Sequence, residues 1–160
     1  MLAWSATQLE AIFGPIVLVS LPYDFVQTRY YERSMGPGLK KCFFVFERLL
    51  SPEQLADAKL RTNTLEAEAA GQWSGAELRP LNLDPGLLSL GKFMLATTKD
   101  QAHRIYLRDG IFAEVTLHYH AGAFEAWPWT YADYQLPFVR EFLGCARDYY
   151  RRRLPALREL

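Results

Sequence analysis

Residues 105–119 read I-Y-L-R-D-G-I-F-A-E-V-T-L-H-Y, two apolar runs joined by Asp109-Gly110. An Asp-Gly link between such runs predicts a β-hairpin with left-handed backbone at both central positions. The turn pairs Arg108 with Ile111. An unbroken ladder then sets Leu107 against Phe112, Ile105 against Glu114 and His103 against Thr116. Alternation puts His103, Ile105, Leu107, Phe112, Glu114, Thr116 and His118 on one side. That side is apolar near the turn and polar away from it. His103 and Glu114 therefore read as an imidazole–carboxylate pair suited to moving a proton. The alternative is a surface strand whose outward residues are polar.

Upstream, residues 97–104 hold the densest polar cluster of the chain. Lys99 and Arg104 suit an anionic group, and Asp100 suits orienting either cation or His103. Residues 90–98 are ambiguous, with a short helix favoured. Residues 78–83 read as a strand that turns at Asp84-Pro85-Gly86, where Asn82 and Asp84 can bond local backbone or reach a site at the strand end. The clearest helix spans 51–70. Ser51 caps it, Pro52 opens it and Gln54 closes a capping box. Leu55, Ala58, Thr62, Leu65 and Ala69 step along its inner side, and Gly71 ends it. Lys59, Asn63 and Glu66 run beside that stripe, as a surface pair or as part of a site.

Nearer the start, residues 16–21 and 41–49 read as strands, and Met35-Gly36-Pro37-Gly38 as a turn. Ser5 offers an N-cap with Gln8, before a short helical face of Leu9, Ile12 and Phe13 that Gly14-Pro15 ends. Residues 1–4 read as a first strand of only four residues, either a stub or the end of a strand that starts earlier. Residues 72–77 read as a mobile surface connection. The last helix starts at Pro137, with Phe138, Phe142, Cys145 or Ala146, and Tyr149 as its inner stripe. The expected fold is α+β: a ferredoxin-like βαββαβ core with an added β-hairpin and a C-terminal helix.

At 160 residues the chain has the length of a single domain, 1–160, with half its residues hydrophobic. Lys plus Arg and Asp plus Glu are 18 each, for a formal net charge of zero. That balance argues against nucleic acid or an anionic membrane as partner. The arginines at 147, 151, 152, 153 and 158 read as a solvated helix end. Cys42 and Cys145 lack metal-ligand spacing and read as buried thiols. With no disulfide framework, no signal peptide and no apolar run of membrane-spanning length, the expected compartment is the cytoplasm. The oligomeric state is not legible.

Two other patterns carry little. His118 and His120 share a strand face in line with Glu114, but no third strong ligand follows, so no metal is expected and no other cofactor. Residues 86–92 read G-L-L-S-L-G-K, close to a phosphate-binding loop. Phe93 stands where a Ser or Thr should reach magnesium, and the loop is rich in Leu. The aromatic run Trp127-Pro128-Trp129-Thr130-Tyr131 is either a flap over the sheet or a docking surface.

Longer motifs are familiar. They are F-G-P-I, P-Y-D-F, Y-Y-E-R-S-M-G-P-G-L-K-K, F-E-R-L, L-A-D-A-K-L-R-T-N-T-L-E, L-N-L-D-P-G, the run from L-A-T-T-K-D through A-E-V-T-L, and W-T-Y-A-D-Y. Over residues 14–134 the chain resembles the bacterial domain-of-unknown-function family 4416. The resemblance implies a small cytosolic single-domain protein and no established reaction. Some members carry a GTP-binding label, which the 86–92 segment does not support. Residues 25–29, Gly91, His118 and His120 depart from the family pattern. Motif by motif, the resemblance points to Tyr23, Asp24, Tyr30, Glu32, Lys59, Asn63, Asn82, Asp84, Lys99, Asp100, His103, Arg104 and Glu114. The expectation is a polar pocket for a small phosphate- or carboxylate-bearing anion. His103, Glu114 and Asp84 would be its chemical groups and the others its ligand contacts. The alternative is a non-catalytic structural or protein-interaction module.

Overall fold

Asp109 and Gly110 take φ of 51° and 74°, and Arg108 pairs with Ile111. The hairpin turn thus forms as the Asp-Gly pair dictates. The computed structural model describes residues 1–73 and 78–158, with side chains to residue 154. The expected mobile connection at 72–77 falls mostly on 74–77, and it and the Arg158 side chain lie outside the described residues. The chain divides into two compact units, Met1–Asp84 and Pro85–Leu160.

The first unit opens with helix α1 (Leu2–Phe13). Residues 2–4 are therefore helical and not a strand. Ser5 is no cap: it is buried in the first turn, and its hydroxyl donates to the Met1 carbonyl. Gly14, at φ 88°, ends the helix. Strands β1 (Ile16–Val19) and β4 (Phe44–Phe46) pair antiparallel, as do β2 (Tyr23–Asp24) and β3 (Lys40–Lys41), with the short helix α2 (Glu32–Met35) between β2 and β3. A 3-10 turn, Pro52–Gln54, leads into helix α3 (Leu55–Gln72). The Ser51 amide donates to the Gln54 side chain across the expected capping box. Gly71 does not stop α3, which runs one residue past it. Leu9 and Phe13 of α1 pack with Ala58 and Leu65 of α3, and Phe44, Phe46 and Leu83 close around them.

The second unit is an antiparallel sheet with one long strand at its centre. Strand β5 (Gly86–Leu88) pairs with β6 (Lys92–Thr97), and β6 pairs with β8 (Ile111–His120). Along its other edge, β8 meets β7 (Ile105–Arg108) at its start and β9 (Ala123–Ala126) at its end. Helix α4 (Pro137–Arg158) packs against β9. Residues 92–97 are a strand and not the favoured helix. Phe93 and Leu95 alternate into the core, which only an extended chain allows. Residues 78–83 are not a strand: the Arg79 amide donates to the Ser34 carbonyl, and Glu66 and Lys59 of α3 take the Leu83 amide and carbonyl.

The α+β class holds, but the ferredoxin-like order does not form. Its leading strand is helical, and every described strand pair is antiparallel, with no parallel neighbour in the sheet. Of the expected inner stripe of α4, Ala146 is buried, while Phe138 and Cys145 are exposed and Val139 and Leu143 take the buried places instead. Cys42 is half-buried, and burial pushes its thiol up from the ordinary value.

Candidate functional site

Two β-bulges build the polar centre of the second unit. On β7 the ladder steps from Tyr106↔Phe112 to Arg108↔Ile111, leaving Leu107 as an extra residue. Ile105 therefore faces Ala113 and not Glu114, and the register carried one step further sets Arg104 opposite Glu114. On β8 the pairing with β6 jumps from Val115 to Leu117, leaving Thr116 as the extra residue. Past that bulge the faces exchange. Glu114 shares a face with Leu117 and Phe124, while His118 and His120 lie on the other with Glu125. The two histidines are not in line with Glu114, and His103 to His118 do not form one continuous face.

Glu114 and Arg104 are both buried, at 3% and 8% exposure. Arg104 Nε donates to Glu114 Oε2 at 2.8 Å, and His103 Nε2 lies 3.1 Å from the same oxygen. Thr116 Oγ1 donates to Glu114 Oε1 at 3.3 Å. The other two guanidinium nitrogens donate to the Lys99 carbonyl at 2.9 Å and to the Tyr131 hydroxyl at 2.7 Å. Burial alone would lower the Arg104 pKa. The Glu114 bond and the Tyr131 oxygen outweigh it, and the pKa is raised. Arg104 is thus a buried fixed charge with contacts on all three nitrogens. Lys99 and Asp100 lie exposed just before it.

The loop 127–131 fills the stretch of β8 edge between β7 and β9. Trp129 Nε1 donates to the Val115 carbonyl at 3.1 Å, and Thr130 Oγ1 to the Thr116 carbonyl at 2.5 Å. The aromatic run is therefore a flap pinned to a sheet edge. It still shows Trp129 and Tyr131, at 38% and 45% exposure. The Trp129 ring stacks on His103, 5.5 Å between centroids and 16° between planes. His103 is thus held on its edge by a carboxylate and on its face by an indole.

The histidine tautomer follows from this geometry. A carboxylate oxygen only accepts, so the neutral imidazole must carry its proton on Nε2. Nδ1 is left as a lone pair. This is the arrangement in which a carboxylate orients a histidine to act as a base on its other nitrogen.

The remaining sequence-derived candidates lie in the first unit. Lys59, 4% exposed, donates to the Leu83 carbonyl at 2.7 Å and to Asp84 Oδ1 at 3.1 Å. Asn82 Nδ2 donates to Asp84 Oδ2 at 2.7 Å, and Arg79 bonds both Asn82 and Glu66. Glu66 accepts the Leu83 amide at 2.7 Å. Burial pushes the Asp84 carboxyl up, but the Lys59 charge and the bonds from Lys59 and Asn82 prevail and hold it below the ordinary range. Asn63 is half-buried on α3. Tyr23 stacks on Phe43, Asp24 pairs with Lys40, Tyr30 meets the edge of Tyr31, and Glu32 opens α2. These form separate local contacts within the unit.

Tyr131, Thr116, Trp129 and Arg79 were not among the site residues expected from the sequence. Thr116 lies two positions from Glu114, on the side that alternation gave it, but only the loop path brings Tyr131 and Trp129 to Arg104 and His103, and that is not written in residue spacing. Residues 86–92 form β5 and the turn into β6, with no helix following, so the strand–loop–helix context of a phosphate loop is not there. Among the described residues no group of three or more His, Cys, Asp or Glu is placed to hold a metal ion. Among them, too, no helix is long and apolar enough to cross a membrane. The family model described as Domain of unknown function (DUF4416) matches residues 1–150, and the chain belongs to that family. No curated protein and no solved structure matches it.

Proposed function

We propose that this family member binds a small phosphate- or carboxylate-bearing anion at His103, and that His103 exchanges a proton with it. The observation that carries the reading is the His103–Glu114 contact with its Nδ1 lone pair left over. Glu114 sets the tautomer, Arg104 holds Glu114, and Trp129 fixes the plane of the ring. Lys99 and the backbone around Asp100 supply the positive side of the site. Lys59, Asn82 and Asp84 are read as fastening residues 82–84 to α3. Two free cysteines among the described residues fit the cytoplasm as its compartment.

Calorimetric titration with inorganic phosphate and a panel of phosphate- and carboxylate-bearing metabolites tests this. At least one compound should bind, and His103→Gln and Glu114→Gln should each weaken it by about tenfold or more. A binder indifferent to both substitutions, or no binder at all, would contradict it.

One observation favours the interaction-module reading. Ile105, Tyr106 and Leu107 of β7 are 74%, 57% and 40% exposed, an apolar edge beside Trp129 and Tyr131. If that reading is right, Tyr106→Lys abolishes self- or partner association measured by sedimentation and leaves anion binding untouched.

A further inference from the structure

Tyr131 reaches the same buried carboxylate as His103, but through Arg104. His103 Nε2 and Arg104 Nε share Glu114 Oε2, at 3.1 Å and 2.8 Å. Arg104 Nη2, on the same edge of the guanidinium fork as Nε–H, donates to the Tyr131 oxygen at 2.7 Å. A guanidinium holds donors only, so the phenol oxygen accepts and its own proton must go elsewhere. Among the described residues no protein atom accepts that proton, and Tyr131 is 45% exposed. We propose that the Tyr131 O–H is the donor that holds the anionic oxygen of the ligand, and that the ligand carries a hydroxyl beside that oxygen for His103 Nδ1.

The inference rests on the proposed function and narrows its class of ligand. The lone pair on His103 Nδ1 takes a hydrogen bond and gives none. A fully ionised carboxylate or phosphate has acceptors only. Such a group alone satisfies Tyr131 but sets an oxygen against the Nδ1 lone pair. A hydroxy acid, or a phosphate ester with a free hydroxyl close by, answers both. Its alcohol O–H donates to Nδ1, and its anionic oxygen accepts from Tyr131. The proton that His103 exchanges is then the alcohol's.

Tyr131 is held in place from both sides along the chain. Before it, Thr130 is 5% exposed, its hydroxyl donates to the Thr116 carbonyl, and its carbonyl accepts from the Gln135 side chain at 2.8 Å. After it, the Tyr134 amide donates to the Tyr131 carbonyl at 3.1 Å. A donor fixed in this way binds its ligand at a lower ordering cost. Behind the phenol, Glu114, Arg104 and Tyr131 form one chain of hydrogen bonds in which each bond polarises the next. The outward O–H is thereby a stronger donor than that of an isolated phenol.

Calorimetric titrations with paired probes test this, at about pH 8, where histidine as a residue type is neutral. Glycolate is set against acetate, and glycerol 2-phosphate against isopropyl phosphate. The second member of each pair lacks the hydroxyls of the first. In at least one pair the hydroxylated member should bind about tenfold more tightly or better, and that pair identifies the anion as carboxylate or phosphate. Tyr131→Phe removes the O–H alone and should weaken the same probe about tenfold. Twins that bind equally overturn the inference, and so does a preferred probe that Tyr131→Phe leaves unchanged. If the affinity in those cases still falls in His103→Phe, which keeps a ring on Trp129, the His103 site stands without Tyr131. A hydroxyl preference that survives His103→Phe overturns the reading of His103, and this inference with it. No binding of either hydroxylated probe at millimolar concentration overturns the inference and leaves the proposed function to its wider panel. The paired titrations on the unaltered chain decide alone if Tyr131→Phe fails to fold.

Discussion

Glu114 satisfies both its oxygens inside the protein, from Arg104, His103 and Thr116. A buried pair of this kind is costly to break from one side. Glu114→Gln should leave the Arg104 cation buried without its counterion and cost about 3–5 kcal/mol, read from urea unfolding midpoints. Arg104→Met together with Glu114→Leu should recover most of that loss. Asp84 carries a different prediction. Its folded pKa lies below the unfolded one, so its contribution is present above the ordinary carboxylate value. It is lost as pH falls through the depressed folded value. Asp84→Asn should therefore be less stable than the unaltered chain at neutral pH. The two should converge on acidification below the usual carboxylate range. A gap between them that persists there would contradict the Lys59–Asp84 assignment.

Turns test the elements. Gly110 has φ 74° and open space where a Cβ would stand, so Gly110→Ala is opposed by backbone conformation alone. It should cost about 1–2 kcal/mol in thermal unfolding. Ala121 sits at φ 47° in the turn from β8 to β9. Ala121→Gly should gain up to about 1 kcal/mol by relieving the same strain. The Asp109-Gly110 turn, the Ser51–Gln54 box and the start of α4 were legible because each depends on residues a few positions apart. The bulges at Leu107 and Thr116 were not, because an extra residue in a ladder is set by the partner strand. Missing the first put Ile105 opposite Glu114 where Arg104 belongs. Missing the second put His118 and His120 on the wrong face. The same limit hid residues 78–83, whose backbone is held by Glu66 seventeen positions before Leu83. The His103–Glu114 pairing was reached through a register that was itself one residue off. Both residues lie near enough to the shared edge for long side chains to meet.

The two units carry separate reporters, which allows a test of the whole molecule. Trp4 and Trp73 meet at 5.0 Å in the first unit, and Trp127 and Trp129 at 5.3 Å in the second. The single-domain reading expects variants retaining one pair or the other to lose fluorescence at the same urea midpoint, and separate midpoints would contradict it. The proposed function rests on the second unit and on one ring nitrogen. The most direct measurement is the long-range proton–nitrogen NMR spectrum of the three histidines, alone and with the phosphate- and carboxylate-bearing panel. Neutral His103 should carry its proton on Nε2, and its Nδ1 signal should move when an anion binds while that of His120 stays in place. An Nδ1-protonated His103, or a bound anion that leaves its ring signals unmoved, would contradict the assignment of His103 as the proton-exchanging group of the site.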